Sequence, residues 1–583
     1  MINFEWEKSF NSVEIGYDLL LLALREWGVS VCVGVTGGGL VHLLKKISPF
    51  RFDVDEKDEL SFLTLGEYVA GYVPLGGYLA TGRIGAALAT TGAATKLLAC
   101  GISDAKLHDI PSVYIVPVSR RSTYGLAPVQ DTSVHGSNIV AQLNSEVPGS
   151  VFVLDDMETL HQVLIRAGEQ LARGKPIVLI LEHDALSLPL PKLVSKSLVP
   201  TVRSFNAPGL VRAFIDKLRD ASLSKRLVIL VGEELCRYRG IAPAITKLSE
   251  NLRAPVLWSM NGANAIERCN RYAYGYILFG GNDVSTQRWN SIGEDDVLLI
   301  LGACLDEYTV NLQEIRAAST FFVSNIEDGY GQIGGSIRHR VRGTCHELRA
   351  PLDIVVRELV VAAKEGVFKN QYEIPAPEDL NPGQYTDSAK NCVDMVQLYR
   401  RLDKWWPPNS FGVDDVCLAY KDRQFITQRP HPNIRFYSLY RGSAMGGAFG
   451  VAIGAKLSAP NKNVFLFTGD GCFRYFAGYL GEVRELGIVT FVLNNRDYAI
   501  ASQVYRFLLP NTDSRRYHTD LYSLDFTGIA RASGWRAHTL NSDLSNLDEI
   551  LDQSRNEPRH SMLIDVPVDS KQELGRNPRR GNL

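Results

Sequence analysis

Val464-Phe-Leu-Phe-Thr-Gly469-Asp470-Gly471-Cys472 is an apolar run that passes straight into Gly-Asp-Gly. Downstream, Phe491-Val-Leu-Asn494-Asn495 is a second apolar run that ends on paired asparagines, with 22 residues between Gly471 and Asn494. Short apolar runs bounded by such turn residues predict parallel strands, with a helix-like segment between them. This layout puts a carboxylate and an amide oxygen at the carboxyl ends of two neighbouring strands, where open α/β sheets bind ligands. Gly469 and Gly471 let the backbone approach an anion, and the start of the next helix offers free N–H groups to phosphate. Asp470 and Asn495 supply hard oxygen ligands suited to Mg²⁺ or Ca²⁺. Either element alone is an ordinary turn or loop start. Both together, at strand ends, describe a metal–diphosphate site.

Working outward, 583 residues exceed one hydrophobic core and predict about three or four domains. A hydrophobic fraction of 45% with 22% charged residues is ordinary for a soluble globular chain. The net charge of −2 argues against nucleic acid or an anionic membrane as a partner. No apolar run reaches membrane-spanning length, and the opening Met1-Ile-Asn-Phe-Glu-Trp-Glu7 lacks a signal-peptide pattern. Nine cysteines without a Cys-x-x-Cys pair argue against a zinc site or disulfide framework and fit reduced thiols in the cytoplasm.

Three α/β blocks follow one another, and the fold class expected is three domains, each a mostly parallel sheet flanked by helices. The first, residues 1–190, has an amphipathic segment over Val13–Trp27 and strands at Val31–Val35, Ala86–Thr90, Ser112–Val118 and Ile177–Leu181, closing near Leu188-Pro-Leu-Pro191. The second, residues 200–368, has strands at Leu227–Val231, Pro255–Trp258, Val297–Leu301 and Thr320–Val323, without a Gly-x-Gly-x-x-Gly fingerprint. A polar, proline-bearing linker, Tyr372–Tyr385, leads to the third, residues 375–583, which carries the opening motif and ends on the strand Met562–Val566.

Further motifs agree with that site. In block one Leu65-Gly66-Glu67-Tyr-Val-Ala70-Gly71-Tyr72 opens a helix-like run that leads to Gly77-Tyr-Leu-Ala-Thr81-Gly82. Upstream of the metal motif lies Arg441-Gly-Ser-Ala-Met445-Gly-Gly-Ala-Phe-Gly-Val-Ala-Ile453-Gly-Ala. Val33-Gly-Val-Thr-Gly-Gly38, Thr91-Gly-Ala-Ala-Thr95 and Ser103-Asp-Ala-Lys-Leu-His-Asp-Ile-Pro111 complete the set. Together with Gly-Asp-Gly and Asn-Asn, these resemble the thiamine-diphosphate enzymes of the acetolactate synthase, pyruvate decarboxylase and benzoylformate decarboxylase family. The resemblance covers nearly the whole chain. It implies a pyrimidine-binding domain, a central domain and a diphosphate-binding domain, with thiamine diphosphate and Mg²⁺ as cofactors.

By that resemblance Asp470, Asn495 and the Asp497 carbonyl hold Mg²⁺, and Gly471 and Cys472 face the diphosphate, with Gly469 and Tyr498 counted among the cofactor-binding residues. Glu67 takes the place of the carboxylate that bonds the far pyrimidine nitrogen, a general acid–base role. Met445 takes the position of the wedge beneath the cofactor, and Ser443 that of a carbonyl for the pyrimidine amine. Thr36, Leu79, Ala80, Ala93 and Arg496 depart from the family pattern. The family implies sites shared between subunits, hence a homodimer or homotetramer.

The reaction expected is decarboxylation of a 2-oxo acid followed by addition to a second carbonyl acceptor, a carboligation. Pyruvate decarboxylases resemble one another in adjacent histidines and a glutamate six positions past the second asparagine; this chain has no His-His pair and has Ala501 there. In the loop Pro128-Val129-Gln130-Asp131, Gln130 is a candidate to orient donor or acceptor, with His108 and His135 as candidate proton relays. A simple 2-oxo acid decarboxylase or C–C lyase is the first alternative, and a non-catalytic paralogue that keeps the fold is the second. Glu67 and the intact metal motif argue against the latter.

Overall fold

A computed structural model describes residues 13–52, 60–190, 197–199, 205, 207–331, 337–368 and 373–582. The Met1–Glu7 opening, Pro191 and Tyr372 lie outside them. Among the described residues nineteen strands form three sheets. The first holds β1 (Val31–Gly34), β2 (Ser48–Pro49), β3 (Ser61–Thr64), β4 (Ala86–Leu88), β5 (Val113–Pro117), β6 (Val151–Leu154) and β7 (Ile177–Leu181), in the order β2-β3-β1-β4-β5-β7-β6. The second holds β8 (Arg226–Val231), β9 (Val256–Trp258), β10 (Ala273–Tyr276), β11 (Asp296–Leu301), β12 (Ser319–Ser324) and β13 (Thr344–Arg349), ordered β10-β9-β8-β11-β12-β13. The third holds β14 (Ser410–Asp414), β15 (Ile434–Ser438), β16 (Asn463–Gly469), β17 (Ile488–Asn494), β18 (Arg536–Thr539) and β19 (Met562–Pro567), ordered β15-β14-β16-β17-β19-β18.

The pairings within all three sheets are parallel, which explains why the central strands read as unbroken apolar runs rather than alternating ones. Ile177–Leu181 and Asp296–Leu301 are buried along their whole length because helices cover both faces. The expected architecture of three parallel-sheet α/β units is what forms.

Two local expectations shift. The first helix runs Gly16–Glu26 rather than from Val13, because Ile15 is extended and bridges Pro189, tying the two ends of the first unit together. After Gly-Asp-Gly no long helix follows; a four-residue turn, Asp470–Phe473, gives way to 3-10 turns at Ala477–Tyr479 and Gly481–Val483. Gly478 and Gly481 lower helix propensity there, and burial of Phe473, Phe476, Leu480 and Val483 holds the tighter coil.

The first and third units share one apolar core, in which Val69, Tyr72 and Val73 meet Val451, Ala452 and Ile453. Their contact is the helix Val73–Thr81 laid on the helix Gly447–Ser458. A Cβ at Gly76 would stand 1.9 Å from the Val451 carbonyl oxygen, and one at Gly454 would stand 1.9 Å from that of Val73. The small residues of both segments therefore answer to helix–helix approach. The middle unit keeps its own core.

Candidate active site

β16 and β17 are neighbours, with Gly469 opposite Leu493, so Asp470 and Asn494-Asn495 emerge side by side at the same sheet edge. Asp470 is 2% exposed, and its Oδ2 accepts the Arg496 backbone N–H at 3.0 Å. Asn495 Oδ1 accepts the Asp497 N–H at 3.0 Å, and Asp497 takes the Ser502 hydroxyl. Arg496 sits at a φ of 56°, and this left-handed residue turns the chain so that Tyr498 N–H bonds Thr519 O at 2.9 Å and Leu521 N–H bonds Arg496 O at 2.8 Å. The turn is thereby pinned from both sides, against Asp470 and against the 519–521 segment.

The two asparagines divide their work. Asn494 donates to Asp565 Oδ1 at 3.0 Å and braces β17 on β19, whereas Asn495 belongs to the turn itself.

Burial pushes the Asp470 carboxyl up to about 6, and among the described residues no side-chain cation pairs with it. The Asp497 Oδ1 atom is buried without a hydrogen bond. A buried carboxylate with Arg474 near but outside ion-pair distance, beside an amide and a second carboxylate, is the donor chemistry of a hard divalent ion, so these residues fit Mg²⁺. Gly471 lies against the Tyr498 ring, where a Cβ would come within 2.7 Å, and the Cys472 thiol points away to Val416 O at 3.2 Å. Burial pushes that thiol well above its usual range, which leaves Cys472 its backbone to offer.

The Met445 loop is held from below by Asp415, a residue the motifs do not mark. Asp415 is 1% exposed and accepts the Gly446 N–H at 3.0 Å, the Thr468 hydroxyl at 2.7 Å and its neighbour Val416 N–H at 2.8 Å. Gly446 has a φ of 88°, which favours glycine after Met445. Ser443 is also left-handed, at 51°, and is exposed; its hydroxyl bonds Tyr440 O at 2.6 Å. The only sequence signal for Asp415 is its place just past an apolar strand.

Glu67 is the first residue of the short helix Glu67–Ala70, where the helix dipole favours a carboxylate. Its neighbours seat it. The Tyr68 hydroxyl donates to Met445 O at 2.5 Å, and a Cβ at Gly66 would strike the Tyr479 ring at 2.1 Å. The helix carrying Glu67 thus abuts the Met445 loop and the 3-10 turn beyond Asp470. Among the described residues neither a hydrogen bond nor an ion pair engages the half-buried Glu67 carboxylate.

The remaining candidates sit elsewhere. Gln130 is exposed, takes the Thr91 hydroxyl at 2.8 Å and lies on Gly92, so it pairs with the Thr91–Thr95 loop. His135 is exposed on the same segment, five residues on. His108 is 3% exposed and lies 3.6 Å from Glu233 and 3.9 Å from Asp104, within a buried ionic junction. There Arg441 meets Glu233 at 2.5 Å and Asp306 at 2.8 Å, and the Gly442 N–H bonds Asp104 at 2.9 Å. Burial pushes Glu233 up, but Arg441 and His108 outweigh it and hold its carboxyl well below the usual range. This junction joins all three units just before the Met445 loop.

Models of the thiamine pyrophosphate enzyme N-terminal binding domain, central domain and C-terminal binding domain match residues 15–139, 211–333 and 423–566, in that order. The chain belongs to this family. Its three sheets correspond to the three domains of thiamine pyrophosphate enzymes, and the domain set implies thiamine diphosphate as cofactor. The chain is 22% identical to the acetolactate synthase large subunit of Lactococcus lactis subsp. lactis, covering 96% of this chain and 93% of that one. It is 22% identical to the acetolactate synthase isozyme 2 large subunit of Escherichia coli, with 89% of each covered. The Rhodococcus jostii RHA1 thiamine diphosphate-dependent 4-hydroxybenzoylformate decarboxylase shares the fold, with a TM-score of 0.73 at 16% identity, over 96% of this chain and 100% of that one. Among the described residues no helix is long and apolar enough to cross a membrane.

Proposed function

We propose that this thiamine pyrophosphate enzyme is a Mg²⁺-dependent carboligase, which decarboxylates a 2-oxo acid and adds the resulting acyl-anion equivalent to a second carbonyl to give an acyloin or acetolactate-like product. The observation that carries the reading is the convergence just described: an uncommitted Glu67 beside the Met445 loop, with a cation-poor Asp470 pinned to the Asn495–Asp497 turn. Thiamine diphosphate, when bound, would supply a nucleophilic carbon and a cationic ring able to act as an electron sink for decarboxylation.

In this proposal Asp470, Asn495 and the Asp497 carbonyl would hold Mg²⁺, while Gly469, Gly471 and the Cys472 backbone would receive the diphosphate, with the Tyr498 ring beside Gly471. Glu67 shares a proton with the far pyrimidine nitrogen, a role that suits a carboxylate without a competing partner. Met445 supplies the wedge and the Ser443 backbone a carbonyl. Asp415 acts as a positioning residue, because it fixes the loop on which both stand. Gln130 orients the donor or acceptor, and His135 lies on the same exposed segment, available as a proton relay. His108 is assigned to the Arg441 junction, since its ring neighbours are Asp104, Glu233 and Arg441. Assembly as a homodimer or homotetramer belongs to the same proposal, although the Glu67 helix and the Met445 loop already meet within one chain.

Carboligation is favoured by Ala501 and by the lack of a His-His pair, and the likeness to acetolactate synthases supports it. The test is turnover of a 2-oxo acid panel with thiamine diphosphate and Mg²⁺, with and without aldehyde and ketone acceptors, followed by mass spectrometry. A new carbon–carbon bonded product is expected. Free aldehyde and CO₂ alone, whatever the acceptor, would replace the reading with simple decarboxylation.

A further inference from the structure

Where the three domains meet, a half-open cavity of about 120 Å³ lies beneath the end of the Val73–Thr81 helix. Each domain contributes a wall: Tyr78 to Gly82 from the first, Glu233 to Arg239 from the second, and Arg435 to Leu439 from the third. The charges around it do not balance. Arg237, Arg239 and Arg435 bring three guanidinium groups, and among the described residues none of them pairs with a carboxylate. Arg237 spends one arm on the backbone carbonyls of Asp109, at 2.7 Å, and His108, at 3.2 Å. The one carboxylate on the wall, Glu233, is already committed to Arg441 at 2.5 Å.

Leu79, Ile110, Tyr437 and Leu439 give the lining an apolar side, while the polar His108 and Asn261 are already engaged, His108 beside Glu233 and Asn261 with Glu233 and the Ser438 carbonyl. Leu79 and Ala80 are two of this chain's departures from the family pattern, and the small Ala80 side chain leaves room where a long one would fill it. Size narrows the occupant. A dry cavity of about 150 Å³ takes one benzene ring, so this space admits a body of that order and no nucleotide. Guanidinium forks match carboxylates in bidentate geometry, while apolar walls have no use for a fully hydrated ion.

We propose that this cavity binds a compact organic carboxylate, one acid group on an apolar body about the size of a ring, at a site distinct from the cofactor's. The carboxylate meets Arg239 and Arg435 at the mouth and the body packs on Leu79, Ala80 and Tyr437. Such a ligand cross-links the three domains, and it touches β15 (Ile434–Ser438), after which the chain passes through Tyr440 into the Met445 loop. The site stands whichever reaction the cofactor site runs.

Isothermal titration of the full chain, saturated with thiamine diphosphate and Mg²⁺, tests it with benzoate and with inorganic phosphate as probes. Saturation keeps either probe from the diphosphate site. Benzoate is expected to bind, with phosphate weaker. Arg239→Ala and Arg435→Ala should each weaken benzoate about tenfold or more, the loss expected for one charge-assisted contact. Ala80→Leu, which fills the cavity and removes no charge, should abolish it. All three variants should titrate thiamine diphosphate as the parent does, which shows that they fold. Lack of benzoate binding at about 10 mM would overturn the site. So would phosphate binding as tightly as benzoate, or benzoate binding that survives all three substitutions.

Discussion

Asp415→Asn separates the two things this buried carboxylate does, and it gives opposite signs for stability and for its alternative, Asp415→Ala. Burial raises the Asp415 carboxyl from 3.8 to about 6, against the pull of Thr468, Val416 and Gly446, which all donate to it. A native value above the unfolded one means that the folded protein holds the proton more tightly. Stability is then full below pH 3.8, falls as the pH rises towards about 6, and stays lower above that. The gap corresponds to about 3 kcal/mol, an order-of-magnitude ceiling on what the charge costs at neutral pH. An asparagine keeps the shape. Its oxygen can stay with the Gly446 and Val416 N–H groups, and its amide can donate to the Thr468 hydroxyl.

The assay is urea unfolding of the cofactor-free protein, parent and variant, at pH values from about 4 to 8, compared by midpoint because three domains need not unfold as one. Asp415→Asn should match the parent near pH 4 and gain on it as the pH rises, levelling off above about 6. Asp415→Ala should lose at every pH, by about 1–3 kcal/mol for each donor left unpaired. A constant difference between parent and Asp415→Asn across the range would refute the argument, since it would mean that the buried charge carries no cost.

Other expectations are more direct. Glu67→Gln should keep thiamine diphosphate binding by titration yet lose turnover about 100-fold or more, the scale of a general acid–base group; unchanged turnover would sink its assigned role. Asp470→Ala should remove the Mg²⁺ dependence of cofactor binding, and chelation of the parent should reproduce that loss, restored by added Mg²⁺. Gly454→Ala should destabilise the protein by about 1–3 kcal/mol in thermal unfolding, because its Cβ would need the space of the Val73 carbonyl; a neutral result would show that the two helices can slide apart cheaply. Active protein sedimenting as a monomer would refute the proposed homodimer or homotetramer.

Much of this was open to reading along the chain. Strands such as Leu227–Val231 and Ile177–Leu181 declare themselves because a sheet covered on both faces demands unbroken apolar runs, and that demand is local. Gly-Asp-Gly and Asn-Asn were equally legible, because a phosphate needs bare backbone and a hard metal needs oxygen, each within a few residues of a strand end. The helix expected between them is cut to one turn and two 3-10 turns, because two glycines lower helix propensity and burial of Phe473, Phe476 and Leu480 holds the tighter coil.

What the linear order could not contain is proximity. Asp415 lies 31 positions from the Gly446 it supports, and no spacing rule links an aspartate after one strand to a left-handed glycine after the next. His108 reads as a candidate relay until Asp104, Glu233 and Arg441 are seen around it. The three guanidiniums of the interdomain cavity come from two different domains, and only packing turns them towards one space. The sequence by itself determined the elements and the residue types of the site, since both follow from local chemistry. Tertiary structure alone decided which carboxylates are neutralised and which are left for a cation or a proton, because burial and charge pairing are properties of neighbours in space.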